Sequence, residues 1–163
     1  MLSKTMEKAL NEQINKEMYS SYLYLAMAAH LSEQFLDGFG KFFEVQAQEE
    51  WAHAMKIYKH VNERGGRVVL EKIDKPQTTF KDLEEIFTLT LAHEQFITKS
   101  INSLVDLAIK EKDHASQTFL DWFVNEQVEE EANMETWLAK VKMSGAKGHV
   151  LFMLDGHAGE RKK

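Results

Sequence analysis

Glu50 and His53 stand one helical turn apart within Gln48-Glu49-Glu50-Trp51-Ala52-His53. The inward stripe of the surrounding stretch reads Phe39, Phe43, Gln46, Glu50, His53, Ile57 and Val61. A carboxylate and an imidazole therefore occupy positions where a core-facing helix carries apolar side chains. That is a metal-ligand pattern, but a single pair of this kind also recurs by chance on solvated helices. Three further carboxylates, Glu17, Glu94 and Glu130, interrupt three other stripes, and Gln127 precedes Glu130 by one turn. Buried together, the four would carry about four negative charges with no inward Lys or Arg to pair with them, so desolvation and repulsion call for cations. Two divalent ions balance the layer. Oxygen ligands with one imidazole suit iron, or manganese in its place, better than closed structural zinc or simple magnesium or calcium. In the expected arrangement Glu50 bridges, Glu17 and His53 hold the first ion, and Glu94 and Glu130 hold the second. Gln127 offers only a neutral amide oxygen, so the second ion is held more weakly. A site of this kind suits metal passing through rather than a fixed cofactor.

Four long helices must position these groups. The first is expected over about 5–32, with the stripe Leu10, Ile14, Glu17, Ser21, Tyr24, Ala28 and Leu31, widened by Met18, Tyr22 and Leu25. A second runs over about 39–64, and the short break between them makes the two antiparallel neighbours. Gly65-Gly66 ends the second helix, and a connection containing the only proline, Pro76, leads to about Lys81. Some 15 extended residues span up to roughly 50 Å, more than the roughly 39 Å of a 26-residue helix, so the third helix starts parallel to the second. Within the connection, Arg67-Val68-Val69-Leu70-Glu71 has the character of a short extended piece. The third helix, about 83–110, carries Glu94 in a stripe with Phe87, Thr90, Ile97 and Ile101. The fourth follows a break near Lys112 and Asp113, runs to about Met143, and carries Gln127 and Glu130 between Phe123 and Met134. Counted along these helices, the four carboxylates fall in one layer.

The fold class is thus all-α, a four-helix bundle over about 5–143 with a long crossover between the second and third helices and a short fifth helix over about 147–157, all in one domain of 163 residues. The apolar run Val150-Leu151-Phe152-Met153-Leu154 is too short to be stable alone and too apolar for water, so it should dock, while Gly156 and Gly159 weaken the helix beyond it. Val68, Leu70 and the 150–154 run are expected to seek partner subunits. One proline and 44% hydrophobic residues argue against a sandwich or barrel. The absence of cysteine excludes disulfides, thiolate metal sites and a thiol nucleophile. A net charge of −6 disfavours nucleic acid as a partner, and no apolar run is long enough for a membrane span, which makes a cytoplasmic address the expectation. The basic end, Arg161-Lys162-Lys163, reads as a solvated tail. His30, His60, His93, His114, His149 and His157 read as surface or packing residues, and Trp122 as packing.

The combination Glu17, Glu50-Trp51-Ala52-His53, Glu94 and Gln127-Val128-Glu129-Glu130 resembles the non-haem ferritins of bacteria and archaea, across essentially the whole chain. The resemblance implies a ferroxidase that oxidises Fe(II) to Fe(III) with O2 or H2O2 for iron storage and detoxification. It also implies a hollow homo-oligomeric shell of twenty-four subunits that receives the iron as a ferric mineral. It assigns Glu49, Glu126 and Glu129, with Glu130 shared, to a third iron site, although a solvated acidic face accounts for this trio as well. Tyr24 matches a tyrosine beside the iron pair, for which core packing is an equally good explanation. General di-iron bundles have two Glu-x-x-His pairs, and here Gln127-x-x-Glu130 replaces one of them. That departure separates the chain from bacterioferritin, and Trp51 stands where a haem-binding methionine would be, so no haem is expected. The alternative is a di-iron oxidase or peroxidase of rubrerythrin type that retains its metal.

Overall fold

The computed structural model describes residues 1–162, which form five helices and no strand. These are α1 (Lys4–Glu33), α2 (Asp37–Glu63), α3 (Leu83–Glu111), α4 (His114–Ser144) and α5 (Gly148–Ala158). Cross-helix bonds fix their directions. Ser20 meets His93 and Ser100 meets Gln13, so α1 and α3 are antiparallel. Gln46 meets Glu130 and Arg64 meets Asp113, so α2 and α4 are antiparallel too. With the α1–α2 hairpin, α2 and α3 run parallel, as the long connection requires.

Three helix starts carry their own caps. Ser3 accepts from the Met6 N–H at 2.9 Å, Asp82 from Glu85 at 2.8 Å and Asp113 from Ser116 at 3.2 Å, each satisfying a donor the first turn leaves free. α2 has no cap of its own. Its first N–H groups, on Gly38 and Phe39, donate instead to the Asp155 carboxylate of α5 at 3.2 and 2.9 Å. This contact needs glycine at position 38, because a Cβ there would lie 1.9 Å from the Asp155 carbonyl oxygen. The expected docking of the 150–154 run is met by Leu151 and Leu154, while Val150, Phe152 and Met153 face outward. Gly156 and Gly159 do not prevent the helix from reaching Ala158, and Gly159 packs against Gly38.

The connection from α2 to α3 is extended but forms no ladder. Its backbone is satisfied by α1 side chains: Asn11 Nδ2 donates to the Arg67 carbonyl and Asn11 Oδ1 accepts from Val69 N–H, while Asn15 donates to the Lys72 carbonyl. Val68 is half-buried on the core rather than displayed to a partner, whereas Leu70 is exposed. Tyr22 and Leu25, expected to widen the inward face of α1, are about half exposed on the outer face of the α1–α2 hairpin. They lie beyond the arc of a helix turned toward α3.

The core is in two parts. One cluster gathers Tyr24, Met27, Leu31, Phe39, Phe43, Phe87 and Met134; the other gathers Leu10, Ile14, Ile57, Val61, Ile97, Ile101 and Phe123. Between them lies a buried polar layer.

Candidate metal centre

Glu17, Glu50, His53, Glu94, Gln127 and Glu130 are all buried, each at most 5% exposed, and all belong to that layer. Their positions follow from the helical period: each replaces one member of an apolar stripe, so packing of its neighbours drives it inward. Glu17, Glu50 and His53 offer ligand atoms that all lie within 4.8 Å of one another. His53 Nδ1 is 3.4 Å from Glu50 Oε2, and its ring is held edge-on by Trp122 and Phe123.

Glu94 and Glu130 complete the layer through amide groups. Gln46 Nε2 donates to both Glu50 Oε1, at 3.2 Å, and Glu130 Oε2, at 2.9 Å. Gln127 Nε2 donates to Glu94 Oε2 at 3.1 Å and to the Glu94 carbonyl at 3.3 Å. Gln127 thus presents its N–H, not its oxygen, to the carboxylates, and acting as a ligand would require the amide to turn over. Tyr24 is fully buried and its hydroxyl donates to Glu94 Oε1, so it is more than a packing residue.

Burial governs the protonation of this layer. It pushes Glu17 up to about 8, helped by the charge of Glu50. It also raises Glu50, with repulsion from Glu94 and Glu130 added, and raises Glu94 despite the Tyr24 and Gln127 donors. Glu130 rises to about 7 through burial and the charge of Glu94. Burial and the adjacent Glu94 hold Tyr24 well above the usual phenol range. Among the described residues no Lys or Arg pairs with any of the four carboxylates. The layer therefore takes up protons or metal cations, and a divalent ion is the stronger partner for oxygen and imidazole donors.

The residues assigned to a third metal site are not gathered into one. Glu49 pairs with Arg161 at 2.5 Å, Glu126 Oε1 approaches His53 Nε2 at 3.8 Å, and Glu129 is exposed. Arg161 is itself a correction to the expected solvated tail, since its side chain is only 18% exposed. The remaining histidines behave as expected: His30 meets the Phe80 ring edge-on, His60 stacks on Phe119 at 3.9 Å, His93 meets Ser20 at 2.7 Å, and His114, His149 and His157 are exposed.

Supporting residues also emerge. Gln13 Nε2 donates to Glu17 Oε1 at 2.8 Å and its own oxygen accepts from Ser100, which accepts from Lys16. The sequence does carry a signal for these amides. Gln13 and Gln46 each precede by one turn the carboxylate they bind, Glu17 and Glu50, a spacing that puts donor and acceptor on one face, whereas Gln127 reaches across to Glu94 on α3.

Residues 7–144 match the model of the ferritin-like domain. The chain belongs to the ferritin family. It is 46% identical to a bacterial non-heme ferritin of Campylobacter jejuni over 155 residues, covering 95% of this chain and 93% of the relative. It is 41% identical to a probable bacterial non-heme ferritin-like protein of Haemophilus influenzae, over 98% of this chain and 96% of that one. Among solved structures, the open-pore ferritin of the hyperthermophilic archaeon Archaeoglobus fulgidus superposes with a TM-score of 0.98 at 42% identity, covering 99% of this chain and all of the other. An engineered closed form of the Archaeoglobus ferritin gives 0.97 at the same identity. In this ferritin chain the buried layer lies well inside the matched region.

Proposed function

We propose that this chain is an iron-storage ferritin whose layer of Glu17, Glu50, His53, Glu94 and Glu130 is a ferroxidase centre, with Fe(II) and O2 or H2O2 as its substrates. The observation that carries the proposal is the convergence of four buried carboxylates and one imidazole with, among the described residues, no buried Lys or Arg to neutralise them. Two Fe(II) ions would supply that charge, with Glu50 between them. Each ion gives up one electron to the oxidant. The chain's own contribution is placement and charge: His53 and the carboxylates hold the ions, and Gln13, Gln46 and Gln127 orient the carboxylates. Tyr24 holds Glu94 and supplies a hydroxyl beside the second ion. The higher charge of Fe(III) and its preference for oxygen donors then favour transfer to a mineral.

Storage requires a container. Membership of the ferritin family favours a homo-oligomeric cage, and the proposed count is twenty-four subunits in the cytoplasm. Exposed apolar side chains supply contact surface: Tyr22, Leu25 and Trp51 on the α1–α2 hairpin, and Phe152 and Met153 on α5. No helix of the described residues is long and apolar enough to cross a membrane.

The deciding experiment adds Fe(II) anaerobically to purified protein, then oxygen, and follows absorbance, particle mass and retained iron. Rapid oxidation with iron accumulating far beyond about two ions per subunit supports storage. Oxidation that stops at about two per subunit on a small oligomer refutes storage in favour of a retained cofactor.

A further inference from the structure

Arg161 lies just past the last turn of α5, yet three contacts fix the segment that delivers it. The Asp155 carboxylate accepts from the first N–H groups of α2, Lys41 Nζ donates to the Gly159 carbonyl at 2.8 Å, and Gly159 packs against Gly38 so closely that a Cβ would lie 3.2 Å from the Gly38 Cα. From there the guanidinium lies over the Phe42 ring, 4.4 Å from its centroid, and donates through Nη2 to Glu49 Oε2 at 2.5 Å. Both partners are mostly shielded, with the Arg161 and Glu49 side chains 18% and 31% exposed. The pair also lies beside the central layer, since Glu49 directly precedes Glu50 on α2.

The resemblance to ferritins would use Glu49 here, together with Glu130, for a third metal. A guanidinium stays charged at any ordinary pH, forks onto carboxylate oxygens and stacks well on aromatic rings. We propose that Arg161 is an internal cation that takes the outer metal position at Glu49, so that each subunit binds metal at its two central positions and not at a third. This rests on the two-ion reading of the layer given above. Its consequence is specific: an ion leaving the centre finds Glu49 already neutralised and has no ordered outer stop beside Glu130. The C-terminal segment, far away in sequence, thereby sets the metal capacity of the bundle.

The test uses the assembled, metal-free full-length protein and anaerobic equilibrium dialysis against Mn(II), with circular dichroism and sedimentation to check fold and assembly. Arg161→Met keeps an unbranched apolar stem for Phe42 while removing the charge, and Arg161→Lys keeps the charge. Wild type and Arg161→Lys are expected to bind about two ions per subunit, Arg161→Met about three, and the Arg161→Met, Glu49→Gln double variant about two again. Equal counts for wild type and Arg161→Met overturn the proposal. So does a third ion that persists in the double variant, because it would then not use Glu49, or a Glu49-dependent third ion in wild type. Failure of the central reading looks different: wild type would bind no Mn(II) at all, and Glu17→Gln would change nothing.

Discussion

Replacing Glu17 by glutamine should make the metal-free protein more stable while weakening its hold on metal. Glu17 is fully buried and its pKa rises from an ordinary 4.5 to about 8, through desolvation first and the charge of Glu50 second. The folded chain therefore keeps this proton to higher pH than the unfolded chain. The resulting stability is complete below about pH 4.5 and is lost as pH rises through about 8. At 1.36 kcal/mol per unit, the loss from this one group is roughly 3 kcal/mol at pH 7 and approaches roughly 5 kcal/mol above pH 8. The substituted amide does not ionise, matches the shape of the carboxyl group, and can accept the bond that Gln13 now donates at 2.8 Å. In a domain of this size roughly 3 kcal/mol corresponds to about 6–12 °C in Tm. The assay is thermal or urea unfolding of metal-free wild type and Glu17→Gln across pH 4.5 to 8.5, repeated with saturating Mn(II). The variant should match wild type at the acid end, exceed it increasingly toward pH 8, and gain less from Mn(II), since an amide is a poorer ligand. A stability difference that does not change with pH would refute the reasoning, because the cost would then not be ionisation.

Glu50→Ala or His53→Ala should abolish rapid Fe(II) oxidation while circular dichroism and particle mass stay those of wild type; wild-type rates in either would remove the proposed centre. Asp155→Ala takes away the cap of α2 and should cost about 0.5–2 kcal/mol, with faster hydrogen exchange confined to the start of α2 and to α5. His93, whose pKa burial lowers from 6.5 to about 4, contributes with the opposite sign: the unfolded chain takes up its proton first, so stability is present above about pH 6.5 and falls toward pH 4. His93→Phe, which keeps an aromatic ring between Tyr19 and Tyr24, should flatten the acid limb of the unfolding profile.

Much of this architecture is written in local periodicity. Long stripes broken once each by a carboxylate are visible without coordinates, because the 3.6-residue period and the rarity of inward Glu are properties of short windows. The start of α2 lies at Asp37 rather than the expected Phe39, since the group that caps it is Asp155, more than a hundred residues away. Arg161 is hidden for the same reason: nothing in Arg161-Lys162-Lys163 indicates that the first of the three turns inward to Glu49. Tyr22 and Leu25 read as inward because apolar character alone does not tell a core face from a face meant for another surface. Two of the amide partners are legible in principle, since Gln13 and Gln46 each sit one turn ahead of the Glu they bind, but their meaning depends on knowing that the carboxylates are buried; Gln127 reaches Glu94 on another helix, which no local spacing reveals.

The division of the core into two apolar clusters makes the carboxylate layer a seam across the middle of each subunit. Without cations, the groups along this seam are those that burial and mutual repulsion penalise most, and the two clusters are joined there chiefly by amide hydrogen bonds. Metal ions held as proposed, by ligands from α1, α2, α3 and α4 together, would act as rivets through all four helices. Cargo and mechanical integrity would then be linked: with iron bound, the middle turns of the four continuous helices would be tied together, and without it they are held there by packing and amide hydrogen bonds. Slow hydrogen exchange in the middle turns would report the arrival of iron before any mineral had formed.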